Sequence, residues 1–100
     1  MKYDEFWVKV KTLNNWVELE TLKHKKNFNA KYNGSLVLIQ PESTMVERKI
    51  DQGQFIIVWN LAKQLPKQEQ FKRSNYNKMT RNGSYILTIM KHFLKKDSIE

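Results

Sequence analysis

The chain has 100 residues, 18 Lys and Arg against 10 Asp and Glu, a formal net charge of +8, and no Cys. That length supports a single domain, and an apolar fraction of 40% with three Trp is enough for a small core. Without Cys there is neither a disulfide framework nor a thiolate metal site, which fits a reducing cytoplasm, and no apolar run approaches the roughly 18 residues of a membrane helix.

Met1 leads into Lys2, Tyr3, Asp4 and Glu5, so no apolar signal segment is expected. Residues 1–15 read as an N-terminal helix. Tyr3, Phe6, Trp7, Val10 and Leu13 share one helical face, and Asp4 is placed to cap it. An alternation of Phe6, Val8 and Val10 competes as a strand. Asn14-Asn15 suits the helix end.

Residues 16–50 read as an antiparallel meander. Val17 and Leu19 alternate with Trp16, Glu18 and Glu20, and Phe28, Ala30 and Tyr32 alternate with Asn27, Asn29 and Lys31. Asn33-Gly34 is the strongest hairpin signal, because both residues accept the positive φ of a type I′ turn. Ser35 to Gln40 returns as the third strand. Pro41-Glu42-Ser43-Thr44 is turn chemistry, and Met45 to Ile50 alternates as a fourth strand.

Residues 51–65 form the clearest amphipathic helix. Phe55, Val58, Trp59, Ala62 and Leu65 lie on one face, Asp51 and Gln54 make a capping box, and Pro66 ends the helix. This helix is expected to cover the apolar face of the sheet. Residues 66–81 read as a basic loop, longer than a usual connection, with one short helical turn. Residues 82–96 read as a C-terminal helix carrying Tyr85, Ile86, Ile89, Met90, Phe93 and Leu94 on one side. The expected fold is therefore α+β: three or four antiparallel strands with helices packed on one face.

Charge is the main functional signal. Between Pro66 and Lys96, eight Lys and Arg stand against Glu69 alone. A basic half points to a polyanion: nucleic acid first, an acidic protein second, an anionic membrane surface third. The plain alternative is that the charge only keeps a small domain in solution. Lys72, Arg73, Tyr76, Lys78, Arg81 and Ser84 are the candidate nucleic-acid contacts, with Lys25 and Lys26 of the Lys23-His24-Lys25-Lys26 turn as secondary ones. The cations would meet phosphates, Tyr76 would stack on a base, and Arg81 and Ser84 flank a helix start, where free backbone N–H groups favour anions. In the competing reading the segment is a solvated loop that Phe71 and Tyr76 pin to the core.

No catalytic, cofactor or metal motif stands out. His24 is a candidate acid–base group for RNA cleavage but has no sequence partner. Glu18, Glu20 and Glu47 would suit a cation only if the strands brought them together. Leu87, Ile56 and Ile57 lie off the main apolar faces, so they either widen those faces or form a self-association patch. A sheet edge is another route to a homodimer.

The segments Phe28, Tyr32-Asn33-Gly34-Ser35-Leu36-Val37, Pro41-Glu42-Ser43-Thr44, Arg48-Lys49-Ile50, Phe55 to Trp59 and Thr80-Arg81-Asn82-Gly83-Ser84-Tyr85-Ile86 resemble a small bacterial domain of uncharacterised role. It occurs alone or near restriction-system and mobile-element genes. The resemblance spans residues 16–95 and brings no catalytic residues. It implies a bacterial or phage setting and favours DNA. The expected function is non-enzymatic nucleic-acid binding, mainly to DNA through the backbone, with a protein-interaction module and a small ribonuclease-type toxin as alternatives.

Overall fold

Alternation in the sequence becomes a four-stranded sheet in the computed structural model, which describes residues 1–100. The strands are β1 (Val17–Glu20), β2 (Asn27–Tyr32), β3 (Val37–Pro41) and β4 (Arg48–Ile50), hydrogen-bonded in that order. Every neighbouring pair is antiparallel, as short connections require. Registers such as Leu19 with Phe28 and Phe28 with Pro41 put the apolar residues on one face. Phe28, Ala30, Val37, Ile39 and Ile50 are buried there.

Three helices cover that face: α1 (Tyr3–Val10), α2 (Gln52–Gln64) and α3 (Gly83–Leu94). Helix α1 forms where the helical pattern beat the strand pattern, burying Phe6, Trp7 and Val10 while Val8 stays 63% exposed. Lys2 rather than Asp4 precedes its first turn, and no side chain caps it; Asp4 and Glu5 lie within that turn, favourable to its dipole. Helix α2 buries Phe55, Val58, Trp59 and Ala62 as its spacing predicts. Phe6 stacks on Trp59 at 4.9 Å between ring centroids, and Trp7 meets Phe55 edge-on at 5.4 Å.

The deepest helix is α3 rather than α2. Five consecutive residues, Ile86 to Met90, are buried. A helix apolar on nearly all sides sits inside a fold rather than on it. Leu87 is thus core, widening the buried face, whereas Ile56 and Ile57 remain 38% and 49% exposed.

Three local details differ from expectation. Strand β4 is only three residues long. The Met45 N–H bonds back to Pro41 O at 2.8 Å and the Val46 N–H to Thr44 Oγ1 at 3.3 Å, so these groups close a turn instead of joining the ladder. The β2–β3 turn is centred one residue later than predicted. Asn33 pairs with Leu36 through N–H to O at 3.0 Å, and only Gly34 takes a positive φ, +98°. The Asn33 side chain instead accepts from the Ser35 and Leu36 N–H groups at 2.9 and 2.7 Å, a common role for Asn in turns. The α2 capping box is half formed. Asp51 Oδ1 accepts from the Gln54 N–H at 3.1 Å, but the Gln54 side chain turns away to the loop before α3.

Space is open around Gly34, with no atom within 4 Å of an added Cβ, so its constraint is backbone strain alone. Gly34→Val should cost about 1–3 kcal/mol, since a β-branched residue resists that conformation. Urea unfolding checks this; an unchanged midpoint would mean that the turn relaxes freely.

Candidate functional site

The loop between α2 and α3 is long, yet its own side chains hold it in place. It contains two 3₁₀ turns, Lys67–Glu69 and Arg73–Tyr76. Gln70 Nε2 donates to Ala62 O at 2.9 Å, tying the loop to the end of α2. Asn75 Nδ2 donates to Glu69 O at 2.8 Å, and the Tyr76 hydroxyl donates to Gln70 O. The second turn packs on the start of α3, where Arg73 Cγ and Tyr76 Cβ lie 3.6 and 3.7 Å from where a Gly83 side chain would begin.

This anchoring forms one side of a cleft of about 750 Å³. Three other stretches complete it: the turn between β1 and β2, the turn after β3, and β4. Six cations line the cleft, Lys23, Lys26, Arg48, Lys72, Arg73 and Arg81, and no Asp or Glu does. Ser84, at the start of α3, lines it too. First-turn N–H groups have no partner within a helix, so the positive end of the α3 dipole adds to the same field.

Arg48 reaches the cleft through a short relay. Its parity matches Ile50, so it points to the helix-bearing side of the sheet, in register with Ile39. Gln54 Oε1 accepts from Thr80 Oγ1 at 2.7 Å and from Asn82 Nδ2 at 3.0 Å. Asn82 Oδ1 then accepts from Arg48 Nη1 at 3.3 Å. The guanidinium carbon sits 5.4 Å from the centre of the Tyr85 ring. Asn82 is the residue before α3, but its side chain serves this relay and does not cap the helix.

Charge pairing is sparse. Lys72 Nζ lies 2.6 Å from Glu69 Oε2, and this hydrogen bond holds the Glu69 carboxyl below its ordinary range. The other five cations have no carboxylate within salt-bridge distance. Lys72 therefore offers less net attraction to an anion than Arg73 or Arg81.

The sequence candidates divide accordingly. Lys26, Lys72, Arg73, Arg81 and Ser84 converge on the cleft. Lys25 and Lys78 do not line it; Lys25 lies 3.9 Å from Glu20 instead, its backbone at φ +54° in the turn. Tyr76 is fully buried and cannot stack on a base. It is the pin of the loop, as the competing reading had it. Its basic neighbours gave no hint of which way the turn would face. Arg48, Lys23 and Tyr85 are cleft residues that sequence reasoning did not select. The only signal for Arg48 was its parity with Ile50. His24 lines the cleft as well. The sheet order puts Glu18 and Glu20 on one edge strand and Glu47 beside the other, and no three potential metal ligands come together.

Burial pushes the Tyr76 phenol from 10.0 up to about 12. The folded state thus disfavours the phenolate. The stability this adds is whole below the ordinary value of 10.0 and is lost as pH climbs towards about 12. Burial raises the Tyr3 phenol as well, so tyrosinate absorbance should show a late component that shrinks in Tyr76→Phe while the Tyr3 part remains. The same variant should lose about 1 kcal/mol at neutral pH, because Gln70 O loses its donor. A wild-type alkaline titration without a late component would reject this.

No family model, no curated protein and no solved structure matches the chain. No helix is long and apolar enough to cross a membrane.

Proposed function

We propose that the basic cleft binds nucleic acid, DNA in the first place, through the sugar–phosphate backbone, and that the protein is a binding module rather than an enzyme. One observation carries this reading: six cations from separate stretches of chain line one concavity that contains no carboxylate. Like charges held together repel one another, and a bound polyanion relieves that repulsion while releasing its own counterions. Phosphate contacts carry no direct sequence information, so base preference should be modest. The resemblance to a domain found near mobile-element genes supports the same direction. His24 lies in the cleft with no carboxylate within salt-bridge distance.

The test is a titration of labelled DNA and RNA across a salt series. Affinity should fall linearly on a logarithmic scale as salt rises, and the RNA should remain intact with wild type and with His24→Ala alike. Absence of binding near 50 mM salt, where screening is weak, would overturn the proposal. The cleft would then fall to an acidic protein partner. Cleavage of the RNA that depends on His24 would overturn the non-enzymatic part.

A further inference from the structure

We infer that the cleft takes a single-stranded polynucleotide in preference to a duplex; this rests on the nucleic-acid reading above. The first ground is shape. A duplex is convex, and proteins read it by inserting convex elements into grooves roughly 12 and 6 Å wide. Here the cations line a hollow of about 750 Å³, within the roughly 300–1,000 Å³ range of sites that enclose ligands. A single backbone can follow it inward.

The second ground is what shares the hollow with the charges. His24, Phe71 and Tyr85 line it, and the Arg48 guanidinium lies over Tyr85 at 5.4 Å. Proteins that hold single strands combine a positive groove with aromatic rings and guanidinium planes on which unpaired bases stack. Bases in a duplex are already stacked and cannot use these surfaces.

The experiment is fluorescence anisotropy with the full chain and three labelled probes of one sequence at one salt concentration: single-stranded DNA, single-stranded RNA and duplex DNA. At least one single strand should bind about tenfold more tightly than the duplex, the order expected from one stacked base. Its salt slope should be near −0.7 per phosphate contact, against −0.9 for a duplex. Arg48→Ala should weaken single-strand binding about tenfold, within the range of one stacked base. Arg81→Ala tests the same cleft from an exposed position that folding does not need. Lys25→Ala with Lys78→Ala should leave binding unchanged. Whichever sugar binds better, the inference stands. Duplex binding as tight as that of both single strands would overturn it and leave the nucleic-acid reading intact. So would single-strand binding indifferent to both Arg48→Ala and Arg81→Ala. Binding of none of the three would remove the underlying reading and this inference with it.

Discussion

Trp59→Ala should remove about 3–5 kcal/mol of stability, the range for truncating a buried aromatic. Trp59 is 1% exposed. Phe6 stacks on it at 4.9 Å, and Tyr3 meets it edge-on at 5.7 Å. Its indole Nε1 donates to Glu100 O at 3.4 Å. Truncation therefore leaves a cavity between α1 and α2, strips two aromatic contacts and frees an acceptor on Glu100. Small domains are stable by only about 5–15 kcal/mol, so the loss is a large share of the whole. The melting temperature should fall by about 12 °C or more, since 1 kcal/mol is worth roughly 4–8 °C at this size. Val8→Ala is the matched control. Val8 is 63% exposed on α1 and its loss should change stability by less than about 0.5 kcal/mol. Thermal unfolding followed by circular dichroism gives both numbers. An unchanged melting temperature for Trp59→Ala would place the ring outside the core.

The fold was legible where a signal is local and repeated. Strand parity put Leu19, Phe28 and Ala30 on the buried face, and helical spacing chose the face of α2. It failed where two local rules compete for the same atoms. The Asn33 side chain satisfies the turn by hydrogen bonding, so Asn33 has no need of the positive φ that its pairing with Gly34 suggested. Gln54 had two destinations, its own helix cap or the loop before α3, and the loop took it. Thr80 and Asn82 converge there on one acceptor, Gln54 Oε1, which lies 26 and 28 residues away in sequence.

The site was legible only in part, for a related reason. Charge density marked Lys72, Arg73 and Arg81 because they lie near one another in the chain. Convergence of Lys23 and Lys26 with Arg48 depends on the sheet, whose order brings the β1–β2 turn and β4 to one end of α3. Tyr76 misled because an aromatic among cations suits a stacking platform and a loop anchor equally well. Burial alone separates the two.

Lys72→Gln, Arg73→Gln and Arg81→Gln combined should produce the largest change in function. All three residues are exposed, so the fold should hold. Gln is preferred to Ala because the Arg73 stem packs beside Gly83, and removing the stem would mix a packing loss with the charge loss. Each phosphate contact removed should flatten the salt slope by about 0.7 on a single strand or 0.9 on a duplex, about 2 units or more for three contacts. The three should not contribute equally. Lys72 already faces Glu69 at 2.6 Å, so Lys72→Gln alone should matter less than Arg73→Gln or Arg81→Gln alone. Glu69→Gln should act in the opposite direction, tightening binding at low salt by freeing the Lys72 charge. Because Glu69→Gln also raises the net charge, the ranking of the single cation variants is what separates a cleft in which individual charges count from a protein that attracts polyanions by net charge alone. With net charge alone, Lys72→Gln would weaken binding as much as Arg81→Gln, and Lys78→Gln, outside the cleft, would do so equally. Equal effects from all three would assign binding to the diffuse field of the +8 chain and not to this site.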